Sequence, residues 1–190
     1  PAVRVRTVVA DLADHDATVA LGGRLAEEHP ETTLLVNNAG TTVGGELEEL
    51  SLAEVDRVLE VDLRAVVSLT HGLLPVLLAH PGSHVVVVSS IFGIFAAPGQ
   101  VPYVTAKFGV RGFAEALRHE LAGRVGVTVV PPGGIATRIA TEAPVAARAD
   151  RAAFDVTRAR VSRLLRITPA DAATAILRGV ERRRGRILIG

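Results

Sequence analysis

Cysteine, methionine and tryptophan are absent from this 190-residue chain, and tyrosine and lysine occur once each. Without cysteine there is neither a disulfide framework nor a thiolate metal site. No charged-then-apolar signal opens the chain, and no apolar run in the sequence approaches the roughly 18 residues of a membrane span. No membrane span is therefore expected, nothing directs the chain to secretion, and a cytoplasmic location is the expectation. The formal charge is only +1, so nucleic acid is not an expected partner. The run Arg182-Arg183-Arg184 fits cations gathered at a helix C-terminus. His15, His29, His71, His80, His84 and His119 show no ligand spacing on a common element, so no metal is expected. Methionine is missing even from position 1, and the chain is not read as a complete translation product.

What is present is apolar material, 48% of residues against 22% charged, enough for one sizeable core. Residues 1–190 read as a single α/β domain. Short β-branched runs (Val3 to Ala10, Thr33 to Val36, His84 to Ser89, Val125 to Val130, Arg186 to Ile189) alternate with stretches of helical period. Helices are expected over Asp14 to Glu28, Ser51 to Ala79, Val101 to Leu121 and Pro169 to Arg184. That alternation predicts a parallel sheet with crossover helices, and the four valines from Val85 to Val88 predict a strand covered on both faces. "SLAE" at 51–54 has the spacing of a capping box, and "TPAD" offers Thr168 as an N-cap before Pro169. The Ala- and Arg-rich stretch 138–166 reads as a helical lid.

Four strands are followed by small, polar, helix-breaking residues: "ADLAD" at 10–14, "NNAG" at 37–40, "SSIFG" at 89–93 and "PPGGIAT" at 131–137. Beyond the carboxyl ends of parallel strands, such turns line one crevice. Asn37 and Asn38 are the only asparagines, and turn anchoring and ligand contact both explain them. Tyr103 and Lys107, at i and i+4 of a helix, share a face. A nearby ammonium favours the phenolate, which would bring a phenol with a pKa near 10 toward a useful range for proton transfer. Ser90 supplies a hydroxyl that can orient a substrate oxygen. A plain surface pair is the competing reading of Tyr103 and Lys107.

"NNAG", Ser90, "YVTAK" at 103–107 and "PPGGIAT", in this order and separation, resemble the short-chain dehydrogenase/reductase family. The resemblance runs over the whole chain and implies a doubly wound, Rossmann-like parallel sheet. It implies an oxidoreductase that transfers hydride between NAD or NADP and a carbonyl or secondary alcohol, a small-molecule substrate, and a homodimer or homotetramer assembled through the helices 51–79 and 101–121. In that likeness Tyr103 is general acid and base, Ser90 holds the substrate oxygen, and Lys107 lowers the Tyr103 pKa and binds the ribose. Asp11 and Leu12 meet the adenine; Asn38, Ala39 and Gly40 pass along the adenine-ribose region; Pro132, Gly133, Ile135 and Thr137 flank the nicotinamide. Phe92, with Ile94, Phe95 and Val101, fits either an apolar substrate or packing beneath the lid. Where the family has an asparagine serving the catalytic group, this chain has Asp62, which when ionised cannot donate a hydrogen bond. The family's opening strand, glycine-rich turn and second strand have no counterpart here, so the resemblance implies an upstream extension of about 45 to 55 residues and a short C-terminus as well. A non-catalytic dinucleotide-binding or scaffold protein is the alternative reading.

Overall fold

The structure, a computed structural model, describes residues 4–162 and 165–190. Three parallel strands form its sheet in the order β1-β2-β3: β1 Leu34–Asn37, β2 His84–Val88 and β3 Gly126–Val130. Leu34 pairs with His84 and His84 with Gly126, so the strand ends align and their carboxyl termini open on one side. Beyond β3 the chain adds single parallel bridges, Val129 with Arg186 and Pro132 with Ile189, in place of the strand expected over Arg186 to Ile189.

Helices cover both faces. α1 (His15–Glu28) begins at Asp14, whose carboxylate accepts from the Ala17 N–H. α2 (Leu52–Ala79) starts in the capping box of Ser51 and Glu54 and runs through a π-turn, Glu60–Arg64. α3 (Val101–Glu120) carries Pro102 in its first turn, where a missing N–H costs nothing. α1, α2 and α3 pack on one face around Leu73, Leu77, Val85, Val87, Val110 and Val127. On the other face α6 (Pro169–Glu181), capped by Thr168, meets Val86, Val130, Ile187 and Ile189. Val85, Val86 and Val87 are fully buried, as expected of a strand enclosed from both sides.

Two further expectations change. Residues 4–10 form no strand; Val5 and Val9 are 81% and 97% exposed, because no neighbouring strand takes up their backbone hydrogen bonds. Val3, the first residue of that expected strand, lies outside the described residues. Second, α2 is long and apolar enough to cross a membrane by length and composition, with a mean hydropathy of 1.5 over its most apolar window. In the fold one face of it lines the core: Val58, Val66, Leu73 and Leu77 are buried, and a carboxylate, Asp62, is buried with them. The stretch 138–166 holds two helices, α4 Arg138–Thr141 and α5 Arg151–Ser162, with residues 163–164 outside the described set. The loop before α5 is tied down: the Gly44 N–H donates to Pro144 O at 2.9 Å, and Arg148 donates to Glu49 O and Leu50 O. Phe154 lies on Gly44 so closely that any Cβ there would overlap its ring.

Candidate active site

The centre of the site lies where α2, α3 and the ends of β1 and β2 converge. The π-turn adds one residue to a turn of α2, and Asp62, inside it, is fully buried. Its Oδ1 accepts the Thr41 N–H at 2.6 Å, which fastens the loop after β1 to the helix. Its Oδ2 lies 2.9 Å from Lys107 Nζ. That contact is a buried ion pair, and among the described residues no other donor reaches Oδ2. Lys107 Nζ itself donates to Val88 O at 3.3 Å and is only 4% exposed.

One turn earlier on α3, Tyr103 packs against the small buried cluster of Val43, Leu50, Val58 and Ala146, with Lys107 Nζ 5.4 Å from its ring centroid. Burial pushes the phenol above its ordinary value. Lys107 and a hydrogen bond from Ser90 pull it down, Asp62 pushes it up, and the net direction is upward. Lys107 thus lowers the phenol as expected, while desolvation outweighs that one ammonium and Asp62 partly cancels it. Burial likewise raises the Asp62 carboxyl above the usual carboxylate range, against Lys107 and the Thr41 N–H.

Ser90 leaves β2 in extended conformation and its Oγ accepts the Phe92 N–H, opening a short 3₁₀ turn, Ile91–Gly93. Phe92 stands edge-on to both Phe95, at 5.3 Å, and Tyr103, at 6.2 Å between centroids. Phe95, Ile94 and Val101 remain 50%, 40% and 40% exposed.

The other predicted residues take up distinct places. Asn37 is an anchor, donating through Nδ2 to Thr70 Oγ1 at 3.0 Å in the core. Asn38, Ala39 and Gly40 lie exposed beyond β1. A Cβ on Gly40 would stand 3.1 Å from Asp62 Oδ2 and 3.4 Å from Lys107 Nζ, so the absent side chain leaves the ion pair open from above. Pro132, Gly133, Ile135 and Thr137 follow β3; Pro132 O accepts the Ile91 N–H and thereby ties this turn to the one carrying Ser90. Asp11 and Leu12 are not joined to this cluster by any contact among the described residues: Asp11 caps Ala13 and pairs with Arg57 on α2, and both bonds hold its carboxyl below the usual range.

Two supporting residues escaped sequence reasoning. Ser89 Oγ donates to Lys107 O at 2.8 Å, and Gly93 lies so close that a Cβ would fall 2.5 Å from that same oxygen. Both fix α3 against the strand end; the glycine closing "SSIFG" was the available signal.

The residues fit a nicotinamide dinucleotide. An ammonium has three donors, and Lys107 commits one to Val88 O and its charge to Asp62, leaving donor capacity beneath the Gly40 opening for a hydroxyl-bearing ligand. Among the described residues no group of acidic or histidine side chains could hold a metal ion.

Comparison with known proteins shows the family. The model for the family described as short chain dehydrogenase matches residues 2–147. SadH of Mycobacterium tuberculosis is 38% identical over 183 residues, which cover 95% of this chain and 66% of that protein. The chain thus spans just under two thirds of that relative's length. A short chain dehydrogenase/reductase from Burkholderia phymatum, solved in complex with NAD, superposes with a TM-score of 0.81 at 27% identity, over 95% of this chain and 69% of that one. A short chain dehydrogenase from Burkholderia cenocepacia in complex with NADP gives a TM-score of 0.75 at 28% identity, over 96% and 74% of the two chains.

Proposed function

This chain belongs to the short-chain dehydrogenase family, and from that premise we propose that it carries the catalytic part of an NAD- or NADP-dependent oxidoreductase acting on a carbonyl or secondary alcohol. The observation that carries the reading is the chain's only lysine, buried at a strand end, 5.4 Å from the ring of its only tyrosine. A buried ammonium is costly unless it is paired, and with Asp62 and Val88 O as partners Lys107 still keeps donor capacity for a bound group.

When bound, the nicotinamide supplies hydride to the substrate carbon or removes it. In reduction Tyr103 gives its phenolic proton to the substrate oxygen, and in oxidation it takes the proton back. Ser90 Oγ orients that oxygen. Lys107 offers its remaining N–H to the ribose, with Gly40, Asn38 and Ala39 beside it, and Pro132, Gly133, Ile135 and Thr137 flank the nicotinamide side. Asp11 and Leu12 take the adenine end. The exposed Phe95, Ile94 and Val101, continued inward by Phe92, support an apolar substrate. The reading extends to a cytoplasmic homodimer or homotetramer formed through α2 and α3; Leu52, Val67 and Leu78, exposed on α2, support it. Sedimentation at micromolar protein should show a dimer or tetramer, and a monomer would remove this part.

The test is NAD(P)H oxidation with a panel of ketones and quinones by the parent and Tyr103→Phe. Loss of the proton donor should lower turnover by roughly 10²- to 10⁴-fold. Equal rates would end the role assigned to Tyr103, while cofactor binding without any turnover in the parent would favour a non-catalytic dinucleotide-binding protein.

A further inference from the structure

Among the described residues the Asp62 carboxylate is the one charge buried beside Lys107, and it comes from a different element. It is fully buried, 2.9 Å from Nζ, and locked from behind by the Thr41 N–H at 2.6 Å. The groups facing this pair are few. Asp62 itself is the contribution of α2. From α3 come Lys107 and Tyr103; from the end of β2, Val88 O and the Ser90 hydroxyl; from the loop after β1, the Thr41 amide and the bare Gly40. Tyr103 therefore feels a carboxylate as well as an ammonium, and their fields oppose at the phenol.

We propose that Asp62 is a positioning residue that neutralises Lys107 beside Tyr103, so that the phenol stays protonated through the neutral range and the site is set as a proton donor. The site then gives a proton to a carbonyl oxygen at neutral pH, becoming phenolate as it does so. It takes a proton from an alcohol only under alkaline conditions, where the phenolate is already present. This deepens the oxidoreductase reading and rests on it for its consequence in catalysis. The upward direction of the phenol found above agrees with it, and geometry carries it: one buried carboxylate, one buried ammonium and one phenol, with no further charge among the described groups facing them.

The composition makes the test direct. With one tyrosine and no tryptophan in these 190 residues, the ultraviolet absorbance of tyrosinate reports Tyr103 without cofactor or turnover. Tyr103→Phe, from which the transition should vanish, removes any background. In the parent, the midpoint should lie above the roughly 10 of an ordinary tyrosine. In Asp62→Asn, nearly isosteric but uncharged, Lys107 acts unopposed, and the midpoint should fall by about 1 to 2 pH units. Asp62→Ser, whose hydroxyl can still accept the Thr41 N–H, should fall likewise and serves if the asparagine variant does not fold. A parent midpoint at or below 10, or a variant midpoint unchanged or raised, overturns the proposal. Because no turnover is measured, this outcome is separate from the fate of the oxidoreductase reading, which Tyr103→Phe kinetics decide.

Discussion

The hydrogen bonds around His84 fix which ring nitrogen holds its proton. Thr128 gives its hydroxyl hydrogen to Arg184 O at 2.6 Å, so its oxygen must accept from His84 Nε2 at 2.7 Å, and the neutral tautomer with hydrogen on Nε2 follows. Burial, and then the nearby Arg183, hold the His84 pKa below its usual 6.5. The folded state therefore binds fewer protons than the unfolded state as pH falls through about 6.5, and stability must fall with it. Urea denaturation at about pH 8 and about pH 5 should show a lower midpoint in acid, and a glutamine at position 84 should flatten that difference. At this scale the sequence was readable where a residue type was rare. Tyr103, Lys107 and Ser90 stood out by type and spacing, and Asp62 by departing from the pattern around it. Thr41 and Gly93 did not, since a backbone amide that happens to meet a carboxylate, or a missing Cβ against α3, is settled only by tertiary contact.

Among the elements, α2 shows most clearly what periodicity can and cannot disclose. Its start, at the capping box of Ser51 and Glu54, and its end near Ala79 were both legible from the chain. The π-turn was not, because an apolar pattern of period 3.6 is too coarse to mark one extra residue; yet that turn is what delivers Asp62 to Lys107. The expected strand over residues 4–10 failed for the opposite reason: β-branched composition permits a strand, but a strand forms only beside a partner. Where α1 crosses α2, Gly22 and Gly72 let the backbones touch; a Cβ on Gly72 would lie 2.9 Å from the Gly22 carbonyl carbon. Gly23, the next residue along α1, faces open space. Gly23→Ala should therefore stabilise the fold by about 0.5–1 kcal/mol through helix propensity. Gly72→Ala should destabilise it by about 1–3 kcal/mol, since overpacking against backbone exceeds the same propensity gain. Thermal or urea unfolding of the two variants checks both signs, and equal effects would mean the crossing is loose.

For the whole molecule, the register of three parallel strands aligns their carboxyl ends, and the turns after them carry Asn38 to Gly40, Ser90 and Pro132 to Thr137 along one edge. That edge was legible because helix-breaking residues cluster where strands end, and its partner helices were legible by length. Its electrostatic balance was not, because which charge meets which depends on how α2 and α3 pack. The central claim, that this edge carries out hydride and proton exchange with Tyr103 as donor, is tested most directly in the full-length protein with cofactor deuterated at the transferable position. Following a single turnover by mass spectrometry, the product alcohol should carry one deuterium on the former carbonyl carbon, and Tyr103→Phe should slow its appearance by about 10²-fold or more. Product without deuterium, or deuterium transferred at the parent rate by Tyr103→Phe, would contradict the account.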